Sequence, residues 1–211
     1  MAQSPREEFE RLPLRVHRFL ADVALLDVWA VDLPRIRGGI KLADFLQRSG
    51  SLMGQPPPAV QALLSIRFFV GGLFGWDQAT PGSIAESFAG RLTKEDRASS
   101  LTPVGTPDGP ASVVYRFDNE QLSELINRTA HAGALSALVE DATGYRFYLG
   151  VYVREVSRFT PLYLAAIDPF RKLIVYPALL RSVSARWDAT FGPETADSDK
   201  RSNKRGQRRP K

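Results

Sequence analysis

The order of apolar and polar positions divides the chain into segments of two periods. In "LLDVWAVDL", residues 25–33, Val28, Ala30 and Leu33 sit in an aliphatic run broken by Asp27 and Asp32 and stopped by Pro34, which predicts a first strand. "KLADFLQRSG" follows, with Leu42, Phe45 and Leu46 at helical spacing and Gly50 where a helix end favours positive φ. Pro56, Pro57 and Pro58 open a second helix, expected to run to about Leu73 and to be capped by Gly75. Val60, Leu63, Leu64 and Phe68 make one of its faces and Ile66, Phe69, Val70 and Leu73 the other, so the pattern predicts burial on nearly all sides. Residues 80–112, rich in Pro, Gly, Ser and Thr, read as loop with one short helix capped by Ser83 and Glu86.

Alternation returns in "VVYRF", where Val113, Tyr115 and Phe117 flank Val114 and Arg116. The next stretch, "NEQLSELINRTAHAGALSALVED", is ambiguous: Leu122, Leu125 and Ile126 fit a helix, whereas Thr129 and Gly133 weaken it and later strands need neighbours. "YRFYLGVYV" and "TPLYLAAI" both read as β-type segments. In "DPFRKLIVYPALL", Asp168 suits an N-cap and Pro169 a first helical position, and Phe170, Leu173, Leu180 and Trp187 then share a stripe. Pro177 lies on the same side and costs a backbone bond, which predicts one long helix bent at that point across a curved sheet.

Composition narrows the chemistry. A chain of 211 residues with 44% hydrophobic content buries one sizeable core. Cysteine is absent, which excludes disulfides, thiolate nucleophiles and cysteine metal sites; with His17 and His131 as the only histidines, no metal or other cofactor is expected. The charged start, "MAQSPREEFERLPLRVHRFL", carries a capping box at Ser4, Pro5 and Glu7 and lacks a secretory core, so the cytoplasm is the expected location. The most apolar window, residues 60–76, falls short of the roughly 20 residues of a membrane span and contains Arg67. Seven of the 28 Lys and Arg residues lie in 200–211, so the high pI belongs to the tail, which reads either as a solvated end or as a contact for anionic lipid or nucleic acid. Residues 1–15 are expected to be an extension, 16–190 the domain and 191–211 the basic tail.

The order strand, two helices, antiparallel strands and long C-terminal helix resembles the START-like (SRPBCC) helix-grip domains, an α+β fold with a curved antiparallel sheet. "FGWD", "YRFDNEQLSELINRTAH" and "LYLAAIDPFRKLIVYPALLRSVSARW" resemble an uncharacterised bacterial family of that superfamily. The resemblance implies strands for 121–139 and, in the wider superfamily, an apolar cavity between sheet and last helix that holds lipids, polyketides or other hydrophobic molecules. It implies no catalytic residue.

Several side chains are candidates for that cavity. If 122–139 is extended, Leu125, Asn127, Thr129, His131 and Leu135 fall on one face, mixing polar with apolar groups as a pocket lining does. His131 is either a hydrogen-bonded structural residue or an acid or base on a bound carbonyl compound, the enzyme alternative for this fold. Arg67, if buried, needs Asp77, Glu124 or an anionic ligand group. Tyr148 and Tyr163 are placed on strands with hydroxyls toward the cavity, and Leu173, Pro177 and Leu180 serve as an apolar lid.

Overall fold

The computed structural model describes residues 6–58, 60–63, 65, 87–126, 130–158 and 160–192. Its strands are β1 (Ala24–Pro34), β2 (Pro107–Asp108), β3 (Ala111–Arg116), β4 (Glu120–Ile126), β5 (His131–Glu140) and β6 (Gly144–Arg154). They form one antiparallel sheet in the order β1-β6-β5-β4-β3-β2. The helices among the described residues include α1 (Arg6–Glu10), α2 (Arg15–Phe19), α3 (Leu42–Ser49), α4 (Lys94–Ser99), α5 (Thr160–Phe170) and α6 (Tyr176–Phe191). A 3-10 turn covers Phe88–Arg91, and a π-helical segment, Arg171–Val175, joins α5 to α6.

Period-two alternation gives the sheet two faces, each with its own core. One face carries Leu135, Ala137, Tyr148 and Tyr152 and is covered by Phe9 of α1, Val16 of α2, Leu20 and Phe88. Gly133 and Gly150 let those rings sit directly on the sheet: a Cβ at Gly133 would come 3.3 Å from Phe88 and one at Gly150 3.1 Å from Phe9. The opposite face carries Leu33, Leu138, Tyr145, Phe147 and Leu149 and receives α3 and α6 through Phe45, Leu46, Leu180, Val183 and Trp187. The Trp187 indole N–H donates to the Pro34 carbonyl at 3.2 Å, which ties α6 to the end of β1.

Two carboxylates of β4 organise the first face. Glu120 accepts the Arg15 amide at 2.9 Å and the Val16 amide at 3.4 Å, supplying α2 with the cap its own sequence lacks. Glu124, further along the same strand, accepts the Phe88 amide at 2.8 Å and the Ser87 hydroxyl at the head of the 3-10 turn.

The predicted first strand and first helix form as expected, and Gly50 ends α3 at φ 79°. Residues 121–126 and 131–139 are extended, as the resemblance implied, but as two antiparallel strands. Ile126 pairs with His131, so the chain reverses between them and Leu125, opposite Ala132, faces away from His131 and Leu135. A single alternating face from 125 to 135 is therefore corrected. Asn127 and Thr129 lie outside the described residues, as do Arg67, the Ser83 and Glu86 cap, most of the second helix beyond Leu63, and the tail.

Residues 160–167 are helical, which corrects the expected strand. Pro161 stands in the first turn of α5, and Thr160 Oγ1 accepts the Val156 and Ser157 amides ahead of it at 3.3 and 3.2 Å. Asp168 and Pro169 consequently lie within the helix instead of opening it, and Asp168 pairs with Arg171 and with Lys172 at 2.8 Å. The helix break precedes Pro177: the Tyr176 amide reaches back five residues to Arg171, a widened turn that accommodates a proline unable to bond its own i−4 carbonyl. One extra residue in the turn advances the helix phase by about 100°. Leu180 and Trp187 are fully buried, whereas Phe170 is 53% and Leu173 76% exposed, so the expected single stripe is split at this point.

Candidate functional site

The face under α6 is not filled evenly. Asp27 of β1, Val151 of β6, Ala134 of β5 and Ser123 of β4 are successive cross-strand partners, making one transverse row. Trp29, Leu149, Ser136 and Gln121 make the next. Three strand spacings separate the ends of a row, about 14 Å. Although β5 and β6 are interior strands, Ala132, Ala134, Ser136 and Val151 all keep partial exposure on this face, whereas His131, Gly133, Leu135 and Ala137 on the other are buried. Short side chains on β5 thus leave an apolar floor open between two polar ends.

The first polar end joins two backbone irregularities. β1 slips register between Leu25 and Asp27, leaving Leu26 as a bulge on an edge strand. Asp27, 4% exposed, meets Arg171 from the π segment at 2.9 Å and accepts the Tyr176 hydroxyl at 3.0 Å. Arg171 Nη1 also donates to the Tyr176 hydroxyl at 3.1 Å, and the Trp29 ring lies 5.3 Å from the Tyr176 ring. Burial, aided by Asp27, pushes the Tyr176 hydroxyl up, so it remains a donor at any physiological pH. Two N–H groups here, Trp29 Nε1 and Arg171 Nε, are buried without a hydrogen-bond partner. Both are donors only, so the group that satisfies them is an acceptor.

At the second polar end Asp108 is 2% exposed. Its Oδ2 accepts Ser123 Oγ at 2.6 Å and Gln121 Nε2 at 3.0 Å, its Oδ1 accepts Ser51 Oγ, and Gln121 Oε1 accepts Arg116 Nε at 2.5 Å. Leu46, Leu52, Ser136, Leu149 and Leu179 close over this network and leave a recess of about 10 Å³. That is room for a water at most.

Residues 19–178 match the family described as "Protein of unknown function (DUF2867)". The chain belongs to the DUF2867 family. No curated protein and no solved structure matches it.

The sequence-predicted site residues of this DUF2867 chain are distributed over both faces. Leu180 is fully buried in the core on the α6 side of the sheet, and Pro177 is half-buried on α6. Leu173 projects to solvent, and Tyr163 is half-buried on α5, not on a strand. His131 and Tyr148 point to the other side of the sheet and line no space shared with Leu180, a correction that follows from strand parity. The Tyr148 hydroxyl donates to Glu8 at 2.8 Å, next to Phe9. His131 is fully buried, its Nε2 2.9 Å from Glu124 Oε2 and its ring stacked 3.8 Å from Phe88. Burial raises the Glu124 carboxyl, but hydrogen bonds from His131, Ser87 and the Phe88 amide outweigh it and hold the carboxyl below its usual value. This is a satisfied structural pair apart from His131 Nδ1, which has no hydrogen-bond partner. Among the described residues no cluster of His, Asp and Glu could hold a metal, and no helix is long and apolar enough to cross a membrane.

Sequence reasoning passed over Asp27, Arg171, Tyr176 and Trp29. The available signal was the interruption at Asp27 of an otherwise aliphatic strand, since a carboxylate on a strand's core face needs a buried cation. Its partner, 144 residues later, could not be paired with it from spacing.

Proposed function

We propose that this DUF2867 protein has the START-like helix-grip architecture and binds a small, largely apolar molecule on the sheet face beneath the π-helical segment and α6. The observation that carries the reading is the partly open row of short side chains on interior strands, ending at two buried N–H donors without partners. An apolar floor with a few placed polar groups is the usual make-up of a small-molecule site. The recess beside Asp108, which Ala134 also lines, is too small for an organic ligand, so the seat is the stretch from Val151 to Trp29, in the part of the core that Val175 also packs against. Arg171 Nε and Trp29 Nε1 select an acceptor at one end of the ligand, such as a carbonyl or carboxylate.

The role is binding: His131, the acid or base of the alternative enzyme reading, lies across the sheet from this seat. Native mass spectrometry of freshly purified protein and a thermal-shift series of fatty acids against the matching hydrocarbons test the proposal. A ligand at 100 times its Kd stabilises by about 2.7 kcal/mol, which raises Tm by roughly 5–10 °C in a domain of this size. Acids are expected to shift Tm and hydrocarbons to shift it less; no co-purified mass and a flat series would reject the reading.

A further inference from the structure

The other side of the sheet carries a separate cleft of about 450 Å³ between α2, the 3-10 turn and β3. Its lining combines Arg15, Arg18 and Arg91 with Phe19, Tyr115 and Phe117. The charges do not cancel. Arg15 Nη1 pairs with Asp96 at 2.6 Å and Arg91 pairs bidentately with Asp22 at 2.5 and 2.8 Å, but exposed Arg18 pairs with no carboxylate among the described residues. Asp22 is held down to about 2 by the hydrogen bond from Arg91, so that pair persists at neutral pH.

The floor is aromatic and layered. Phe117 stacks on Tyr115 at 4.9 Å, Phe19 meets Tyr115 edge-on at 5.5 Å, and the Arg15 guanidinium lies 4.2 Å above the Phe117 ring. That guanidinium side chain is still 48% exposed, so its outer face is free to receive a second flat group. On the same floor the Tyr115 hydroxyl is buried without a hydrogen-bond partner, on a residue 1% exposed. An orphaned buried hydroxyl costs stability, and burial keeps it protonated, so it stays a donor.

We infer that this cleft is a second binding site, for a small aromatic molecule bearing an oxyanion, whose ring stacks on Arg15 and whose phosphate or carboxylate is held by Arg18 with Tyr115 as a further donor. Planar cation, exposed cation and orphaned donor are complementary to those two parts of one ligand and to neither alone. The site is independent of the seat under α6, since the sheet lies between them.

Isothermal titration of the full chain with phenyl phosphate, benzoate and inorganic phosphate tests it. At least one aromatic anion should bind saturably and about tenfold or more tighter than inorganic phosphate, and Arg18→Gln should weaken it by about tenfold or more, the usual effect of losing one charge-assisted contact. Tyr115→Phe should also weaken binding while leaving the unliganded Tm unchanged or higher, an outcome a purely structural hydroxyl would not give. Leu173→Ala, at a solvent-exposed position of the π-helical segment, should leave these affinities unchanged. No saturable binding, equal affinity for inorganic phosphate, or an Arg18→Gln variant indistinguishable from the parent would overturn the inference.

Discussion

Arg171 meets Asp27 at 2.9 Å, and each residue stands where its element departs from regular geometry, one in a π-helical turn and the other beside a β-bulge. With side-chain exposures of 13% and 4% the pair is desolvated, and neither charge has water as a substitute partner. The two irregularities bring these charges together: the bulge sets Asp27 on the helix side of an edge strand, and the extra residue in the turn rotates Arg171 toward it.

Removing one charge should therefore cost far more than removing both. Arg171→Met is expected to destabilise by about 3–5 kcal/mol, because Asp27 is left buried and unpaired. Asp27→Asn combined with Arg171→Met should recover most of that loss, since the neutral side-chain amide oxygen still accepts from the Tyr176 hydroxyl. Urea denaturation of the single and double variants gives the coupling; equal losses would mean that the pair does not hold the segment.

The two β4 carboxylates should respond oppositely to acid. Glu124 titrates below its ordinary 4.5, so the unfolded chain binds more protons, and the stability it adds above that value is lost as pH falls through its folded pKa. Glu120 titrates above 4.5 because burial outweighs its bonds to the Arg15 and Val16 amides, so its contribution is present below 4.5 and fades as pH rises through the folded value. Glu124→Gln should cost about 1.5–3 kcal/mol at pH 7 and flatten the acid loss. Glu120→Gln should stay within about 1 kcal/mol of the parent at pH 7 and steepen the acid loss. Unfolding free energies between pH 3 and 7 decide both.

The split stripe of the last helix predicts a contrast between two leucines. Leu180→Ala should cost about 2–5 kcal/mol as a cavity in the core under α6. Leu173→Ala, at a position 76% exposed, should change stability by no more than about 0.5 kcal/mol. Similar losses at both sites would mean that the helix runs on without a phase change.

Ala134→Phe tests the proposed seat without touching its polar ends. The ring would overfill the floor between Val151 and Ser123, its neighbours in the row and beside the small recess that Ala134 lines, so the unliganded protein should lose about 1–3 kcal/mol, and the ligand shift is read from the variant's own Tm. The fatty-acid Tm shift should vanish. A shift of full size in this variant would place the ligand elsewhere.

Much of the sheet is legible in the sequence because strand alternation is a local property. The runs at 25–33, 113–116 and 145–153 each form strands, and Gly50 closes α3. The apolar segment 160–167 departed from expectation for an equally physical reason: a short run of Thr, Leu, Tyr, Ala and Ile has no period that separates strand from helix. Pro161 in the first turn and the Thr160 side chain accepting the amides ahead of it mark it as a helix start. The candidate cavity residues were half legible. Leu180 is buried in the core on the α6 side, whereas His131 and Tyr148 lie on the opposite face, because counting alternate positions from 125 to 135 ignored the antiparallel pairing of Ile126 with His131 that resets parity.

By itself the sequence determined what nearest neighbours along the chain can decide: the alternating strand runs, the first helix with Gly50 at its end, a chain without cysteine chemistry and a basic tail. Only the tertiary structure decided which face each strand shows to α6, where the long helix changes phase, and that Asp27 and Arg171 are partners. Those outcomes depend on turn geometry and on charges 144 residues apart, and a buried ion pair is specified by the space that encloses it, which no local pattern contains.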